Sequence, residues 1–457
     1  MAIIKAGAEP LPELAEFLRP FGELLYRKEN RHALERYTTG LLSDVARKTA
    51  AGMGRVLPGT NDQRLLEFLT GTDWDAAEMD GLRIGHMLAH GSAGNGVLVV
   101  NDTGFAKKGK DSVGVTRQCS GTLGWVDNCQ VLVTCHYVDP VFDWPVNARV
   151  YLPESWAGDA GRMAKAHVPK EVRFATKGEI ALALIDQARA AGIAPRAAVS
   201  DAGYGDQPPF LDGLEARELA YAAAVGSDIR FRLAEAVQAD PGEPPPQARR
   251  PKGRPRKRTG LEDRVPARSA SAILAALPAS AWQEIAWRRG SKGALVKQFA
   301  RLRVHRAGKH GKHLQSCGWL IGERPRPGHS GDPRYYFAWG LDELSLAELV
   351  DLVHVRWIIE RFYQDAKGEL GLDDYEGRLW HGFHRHVALV MLAHCFLTLQ
   401  QTYGPAVLAP SGAAPARGFP PPQGPQEPGH APPRRAGSPL STGARRPPGA
   451  RFSEVTE

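Results

Sequence analysis

The run Arg356-Trp-Ile-Ile-Glu360-Arg-Phe-Tyr-Gln-Asp-Ala-Lys367 sets one glutamate between an arginine and a lysine at helical spacing. Residues four and seven apart return to roughly the same helix face. Arg356, Glu360 and Lys367 therefore project together, while Trp357, Ile358 and Phe362 can pack inward. A carboxylate flanked by two cations suits metal-dependent work on a phosphodiester. The same spacing also serves an ordinary surface salt-bridge ladder, worth roughly 0.2–0.5 kcal/mol.

Two further carboxylates lie upstream. Gly96-Val-Leu-Val-Val-Asn-Asp102-Thr-Gly and Arg196-Ala-Ala-Val-Ser-Asp201-Ala-Gly-Tyr-Gly-Asp are short β-branched or small-residue runs that each end in an aspartate. Both read as buried strands that deliver a carboxylate at or near the strand's end. Glycines beyond each aspartate let backbone or substrate come close. A strand-end aspartate can equally be a turn former or a helix N-cap.

Together Asp102, Asp201 and Glu360 form an Asp–Asp–Glu constellation. Converging carboxylates ~4 Å apart repel by ~4 kcal/mol per pair at an effective dielectric near 20, and divalent cations remove that cost. Hard oxygen donors suit Mg²⁺ or Mn²⁺, and two such ions ~3.5–4 Å apart can activate an attacking oxygen and stabilise a leaving one.

These blocks resemble the DDE insertion-sequence transposases, in particular the IS-seven-oh-one group within the IS-four-like set. Asn101 to Gly124, with Asn128-Cys-Gln130 and Tyr151-Leu-Pro-Glu-Ser-Trp156, is similar to the family's first-aspartate block. Ser200-Asp-Ala-Gly-Tyr-Gly205 resembles the second, and Arg356 to Lys367 with Gly371-Leu-Asp-Asp-Tyr-Glu-Gly-Arg378 the third. The likeness runs from about Leu11 to Leu399. It implies that Asp102, Asp201 and Glu360 are the catalytic residues and hold two Mg²⁺ or Mn²⁺ ions. It also implies that Arg356 and Lys367 belong to a Tyr–Arg–Glu–Lys signature whose cations contact transposon-end DNA. The chain departs from that signature at Val353, where the family has tyrosine, and carries Asn101 where relatives often have another acid.

The implied activity is endonucleolytic: cutting at the ends of an insertion sequence to leave a 3′-hydroxyl, which attacks target DNA. The implied partners are double-stranded DNA, as terminal inverted repeats and target, and a second copy of the chain in a homodimeric synapse. Two other readings share the sequence features. One is a catalytically silent DNA-binding derivative, suggested by Val353 and the atypical tail; the other is a related metal-dependent nuclease without strand transfer.

The elements needed to position the acids are legible. Ser345-Leu-Ala-Glu348 reads as a capping box, and apolar residues recur from Leu346 to Ile358, predicting one continuous amphipathic helix that carries Glu360. Strands are expected near Gly96–Asp102, Gln130–Tyr137, Asn147–Leu152 and Ala220–Val225, with a helix near Glu179–Ala191. This β-β-β-α-β-α-β order fits an α/β fold with a mixed sheet flanked by helices; its assignment as ribonuclease-H-like rests on the resemblance.

Residues 1–92 read as helical, with Arg31, Arg36, Arg47, Lys48 and Arg55 suiting either a DNA-binding region or a cap on the core. Residues 93–226 form the first part of the catalytic core and 344–401 its C-terminal helices. The stretch between Asp201 and Glu360 is far longer than one strand and one helix require. Strand-like runs at Ala294–Val304, Trp319–Gly322 and Tyr335–Trp339 make residues 227–343 a β-rich insertion. Within it, Pro244–Arg258 is a basic, Pro-rich loop. Its Pro251-Lys-Gly-Arg-Pro255 core resembles an AT-hook, so Lys252, Arg254, Arg256 and Lys257 are candidate DNA-binding residues; a solvated basic loop is the plainer alternative. Residues 402–457, dominated by proline, glycine and arginine, are expected to be disordered.

Composition is compatible with this organisation. The 457 residues are 43% hydrophobic and 24% charged, enough for two or three globular domains. A net charge of +8 favours a polyanionic partner, with salt-sensitive binding. Five cysteines without a Cys-x-x-Cys pair give neither a disulfide framework nor a zinc ribbon. With no signal-peptide core, and an apolar stretch near Val387–Leu399 too short to span a bilayer, a cytoplasmic, nucleoid-associated setting without membrane is expected. His381, His384 and His386 read as a solvated or DNA-facing cluster.

Overall fold

The structure, a computed structural model, describes residues 11–91, 95–119, 126–240, 264–290, 293–307 and 314–404. Five helices open the chain: α1 (Pro12–Gly22), α2 (Lys28–Leu42), α3 (Ala50–Gly54), α4 (Asp62–Thr70) and α5 (Ala76–Leu88). In α1 the buried residues Leu14, Phe17, Leu18 and Phe21 fall at the spacing of one helical face. Side-chain caps fix where α4 and α5 start, Asn61 accepting from the Arg64 amide and Asp75 from those of Ala77 and Glu78.

The sheet begins with β1 (Val97–Ala106), β2 (Thr116–Cys119), β3 (Val126–Val138) and β4 (Asp143–Val150). After the short α6 (Glu154–Ala157) and α7 (Ala160–Lys165), α8 (Lys177–Ala190) crosses to β5 (Ala197–Ser200). Then come α9 (Ala202–Gly205), α10 (Pro208–Glu215) and β6 (Tyr221–Val225). β1 is antiparallel to β3, and β3 to β4, whereas β5 lies parallel to both β1 and β6. The resulting order β4-β3-β1-β5-β6, with helices on its faces, is the ribonuclease-H-like mixed sheet.

The following strands do not start a second sheet. They are β7 (Arg230–Leu233), β8 (Arg268–Ser269), β9 (Gln283–Gly290), β10 (Gly293–Ala307), β11 (Leu314–Arg324) and β12 (Arg334–Trp339), with α11 (Ala234–Gln238) and α12 (Ala270–Ala275) between them. β12 pairs antiparallel with β6, from Tyr335 opposite Val225 to Trp339 opposite Tyr221, so core and insertion share one twelve-stranded sheet. Pattern reading finds β10, β11 and β12 and overlooks β2, β7, β8 and β9. Three of these four are very short or mixed in character, and β9 carries Gln283, Glu284, Arg288 and Arg289, with no clean alternation to announce it.

Two expected elements differ. The helix carrying Glu360 is two helices, α13 (Leu346–His354) and α14 (Trp357–Gly368). Val355 and Arg356 keep right-handed helical angles, but the amides of Val355, Ile358 and Ile359 bond to carbonyls three residues back, giving a tightened junction. The tightening re-phases the inward face: Ile359, Phe362 and Tyr363 are buried, while Trp357 and Ile358 are only partly so. The capping box at Ser345 and Glu348 is formed in full.

The second difference concerns α15 (Trp380–Tyr403). Among the described residues this one helix is long and apolar enough to cross a membrane, so the stretch is longer than Val387–Leu399 suggested, but 78% of its most apolar window is buried inside the fold. It packs against β4, α2, α4 and α5. Being apolar on all sides, it belongs in the interior, and its polar groups find partners there. Arg385 donates to Trp74 O at 2.8 Å and Leu69 O at 3.0 Å, and His386 Nδ1 meets Tyr37 Oη at 2.9 Å. The N-terminal helices are thereby docked onto the core.

Candidate active site

The pairing of β1 with β5 ends at Val100 opposite Ser200, so the two strands run side by side up to the acids. β5 stops there. β1 continues, Asp102 lying opposite Val133 of β3 and the ladder holding to Ala106 opposite Cys129. Asp102 is therefore not at a strand end but in mid-strand, just past the point where its parallel neighbour has left. The continuous register with β3 is what prolongs β1. Asp201 follows Ser200 directly and acts as the N-cap of α9, accepting from the Tyr204 amide at 3.3 Å. The capping role and the proximity to Asp102 coexist in one side chain. Gly205 closes this turn, where a Cβ would collide with the Ala224 carbonyl oxygen.

The two aspartates feel each other. Burial, then the charge of Asp102, pushes the Asp201 carboxyl above its ordinary range, opposed by Arg356 and by the amides of Tyr204 and Gly203. Asp102 is largely buried and accepts from the Lys177 ammonium at 3.0 Å. Two buried phenols lie beside the pair. Tyr204 and Tyr363 are held well above the usual tyrosine range, by burial first, with the charges of Asp102 and Asp201 adding to it. Tyr363 Oη shares a hydrogen bond of 2.5 Å with Thr134 Oγ1 on β3.

Glu360 sits on the first turns of α14 with its side chain 55% exposed and ion-paired to Arg356. Among the described residues no group of three His, Cys, Asp or Glu side chains is arranged to hold a metal ion. The structure thus brings Asp102 and Asp201 together and ties Glu360 to the arginine whose charge also reaches Asp201. The chemistry of the acids nevertheless fits divalent cations. A hard carboxylate whose charge is disfavoured by burial and by a neighbouring carboxylate, as at Asp201, is what an added cation relieves.

Lys367, the other cation of the motif, reaches β1. It donates to Gly104 O of β1 at 3.0 Å and lies 5.1 Å from the Phe105 ring centre, and burial lowers its pKa. Val353 is buried in α13. Trp357 is flanked by Arg288 of β9 at 4.5 Å and Arg361 at 5.1 Å, and Arg361 pairs with Asp143 of β4 at 2.9 Å, linking insertion, helix and core.

Lys252, Arg254, Arg256 and Lys257 lie outside the described residues, as do the AT-hook-like segment and residues 405–457 of the tail; Thr402 and Tyr403, expected in that tail, instead close α15. Of the N-terminal cations, Arg36 and Lys48 are buried, Lys48 Nζ bonding Ser43 O at 2.6 Å, so neither faces a DNA surface here. The histidine group is not solvated either. His386 is fully buried between Tyr37 and Gly371 O, His384 Nδ1 donates to Trp380 O at 2.9 Å, and His381 Nε2 donates to Thr70 O at 3.0 Å. Burial lowers all three pKa values, those of His384 and His386 to about 4. The long interior helix on which they sit accounts for this.

Sequence reasoning missed Lys177 as a member of the site. Its local signal was present, since Thr176 and Glu179 form a capping box that starts α8 at Lys177. Nothing in spacing links that position to Asp102. Tyr204 and Tyr363 stood inside the motifs, but their contact with the acids depends on the sheet.

The paired aspartates on adjoining ribonuclease-H-like strands agree with what the sequence comparison finds. Residues 20–294 match the family described as DDE superfamily endonuclease, more than half of the chain, and the protein belongs to that family. The matched region includes Asp102 and Asp201 and ends before Glu360. A probable transposase for insertion sequence element IS701 from Microchaete diplosiphon is 31% identical over 192 residues, 41% of this chain. The chain spans about half, 47%, of the length of that relative.

Proposed function

We propose that the protein is an insertion-sequence transposase that cuts the ends of its element and joins the freed 3′-hydroxyl to target DNA. The observation that carries this reading is the juxtaposition of Asp102 in β1 and Asp201 just past the end of β5, in a chain related to a probable transposase. In this reading Asp102 and Asp201 hold two Mg²⁺ or Mn²⁺ ions, and Glu360 completes the set when Arg356 exchanges its carboxylate partner for DNA phosphate. When bound, such ions supply Lewis acidity to the phosphodiester and activate the attacking oxygen.

The chain's own residues do the rest. Tyr204 and Tyr363 wall off the inner side of the acids and limit water there. Lys367 braces β1 through Gly104 and so fixes the backbone two residues beyond Asp102. Arg356 is an exposed enough cation to meet the scissile strand, with 25% of its side chain accessible. DNA binding, through terminal inverted repeats and target duplex, and a homodimeric synapse complete the proposal, as do DNA contacts by Lys252, Arg254, Arg256 and Lys257.

The test is an assay with Mg²⁺ and labelled terminal inverted repeats. End cleavage followed by joining supports transposition. Cleavage alone identifies a metal-dependent nuclease, and a gel shift without chemistry identifies a silent binder.

A further inference from the structure

Among the described residues, Lys177 is a charged group bonded to Asp102 that the DDE motif does not account for. Its ammonium reaches the carboxylate at 3.0 Å from the first position of α8, and 26% of its side chain is exposed. The backbone beneath it is fixed. Thr176 Oγ1 accepts from the Glu179 amide, while the Glu179 carboxylate accepts from Thr176 N at 2.7 Å and Thr176 Oγ1 at 2.9 Å. Glu179 is thus already engaged with its own helix start and does not compete for the ammonium. The clamp leaves the four-carbon stem as the moving part, and that stem has open solvent to swing into. Arg356 stands in the same relation to Glu360. Each half of the acid set therefore carries its own cation.

We propose that Lys177 is the built-in counter-ion of the acid site: a positioning residue that neutralises Asp102 while the site holds no metal and must leave that carboxylate before a divalent cation can take it. The inference rests on the metal-binding reading given above. It makes loading a cation-for-cation exchange at Asp102, with the displaced ammonium left beside the path of the DNA backbone. A merely structural ion pair predicts that the neutral variants bind Mn²⁺ no tighter than wild type and that Mn²⁺ leaves their melting deficit unchanged.

The probe is Mn²⁺ binding to the full chain, read by the loss of the free-ion electron paramagnetic resonance signal, together with thermal melting with and without saturating Mn²⁺. Wild type, Lys177→Met, Lys177→Gln, Lys177→Arg and Asp201→Asn are compared. Lys177→Met and Lys177→Gln are expected to bind Mn²⁺ roughly two- to fivefold tighter, the fold-change of a partly buried ion pair. Lys177→Arg should keep the wild-type affinity. Metal-free Lys177→Met should melt below wild type, and saturating Mn²⁺ should narrow the gap. Equal or weaker Mn²⁺ binding by both neutral variants overturns the inference, as does a melting deficit that Mn²⁺ leaves unchanged. If Asp201→Asn binds Mn²⁺ as well as wild type, the metal-site reading itself fails and the inference with it. If Asp201→Asn loses binding while the lysine variants match wild type, only the role of Lys177 falls.

Discussion

The sheet-borne and helix-borne halves of the acid site are built on different principles. Asp102 and Asp201 stand where hydrogen-bond register puts them, on strands whose residues just before the acids, Val97–Val100 and Ala197–Ser200, are all buried. Glu360 stands on a helix that follows a tightened junction, more than half exposed, its charge satisfied by the arginine one turn earlier. The first half is rigid and electrostatically costly. The second is adjustable and locally neutral. In the proposed reading, a site that admits a charged polymer and its counter-ions would gain from having one fixed jaw and one that can re-pair.

The sharpest way to break this comparison is to remove one charge from the fixed jaw. Asp201→Asn keeps an N-cap for α9 and removes the acid, so end cleavage should disappear while the gel shift with terminal repeats persists. Unchanged cleavage would take Asp201 out of the mechanism. Next in size is the packing that holds the adjustable jaw. Phe362 is 1% exposed, and Phe362→Ala should cost about 3–5 kcal/mol in denaturant unfolding. A loss below about 1 kcal/mol would mean that α14 is not seated on the core as described.

A third outcome concerns the insertion's anchor. Glu323 of β11 is buried, and His354, Lys297 and Tyr336 overcome its burial to hold its pKa down at about 2. A depressed carboxylate pKa contributes stability above its unfolded value, and that contribution is lost as pH falls through the folded value. Stability should therefore decline between about pH 4.5 and about pH 2, and Glu323→Gln should flatten that part of the profile in pH-dependent melting. The smallest effect on stability belongs to Glu360→Gln. Removing an exposed ion pair should change unfolding free energy by less than about 1 kcal/mol, while cleavage falls as far as in Asp201→Asn. A large stability loss would show Glu360 to be a structural residue.

The same division marks what the chain revealed before folding. Ser345 and Glu348 announce their helix because a capping box is a local event, and the two aspartates announce themselves because β-branched and small residues crowd before them. What stayed hidden is non-local. Whether β1 stops at Asp102 or runs on to Ala106 depends on β3, and whether Trp357 or Ile359 faces the core depends on a change of helical phase at Val355. Lys177 meets Asp102 only because α8 crosses the sheet. The histidines at 381, 384 and 386 look polar in sequence, and only the surrounding elements bury His386 and partly cover the other two. Glu360 presents the reverse case: its spacing from Arg356 was legible, and the salt bridge between the two is a local product of that spacing.

The union of β6 with β12 carries a practical consequence. Because Tyr221–Val225 is capped along its whole outer side by Tyr335–Trp339, the intervening segment cannot be excised as a cassette. Deleting it would bare an apolar edge strand two positions from the one bearing Asp102, and such edges recruit other chains into aggregates. Any minimal version of this protein must therefore retain β12 or replace it with a strand of equal length.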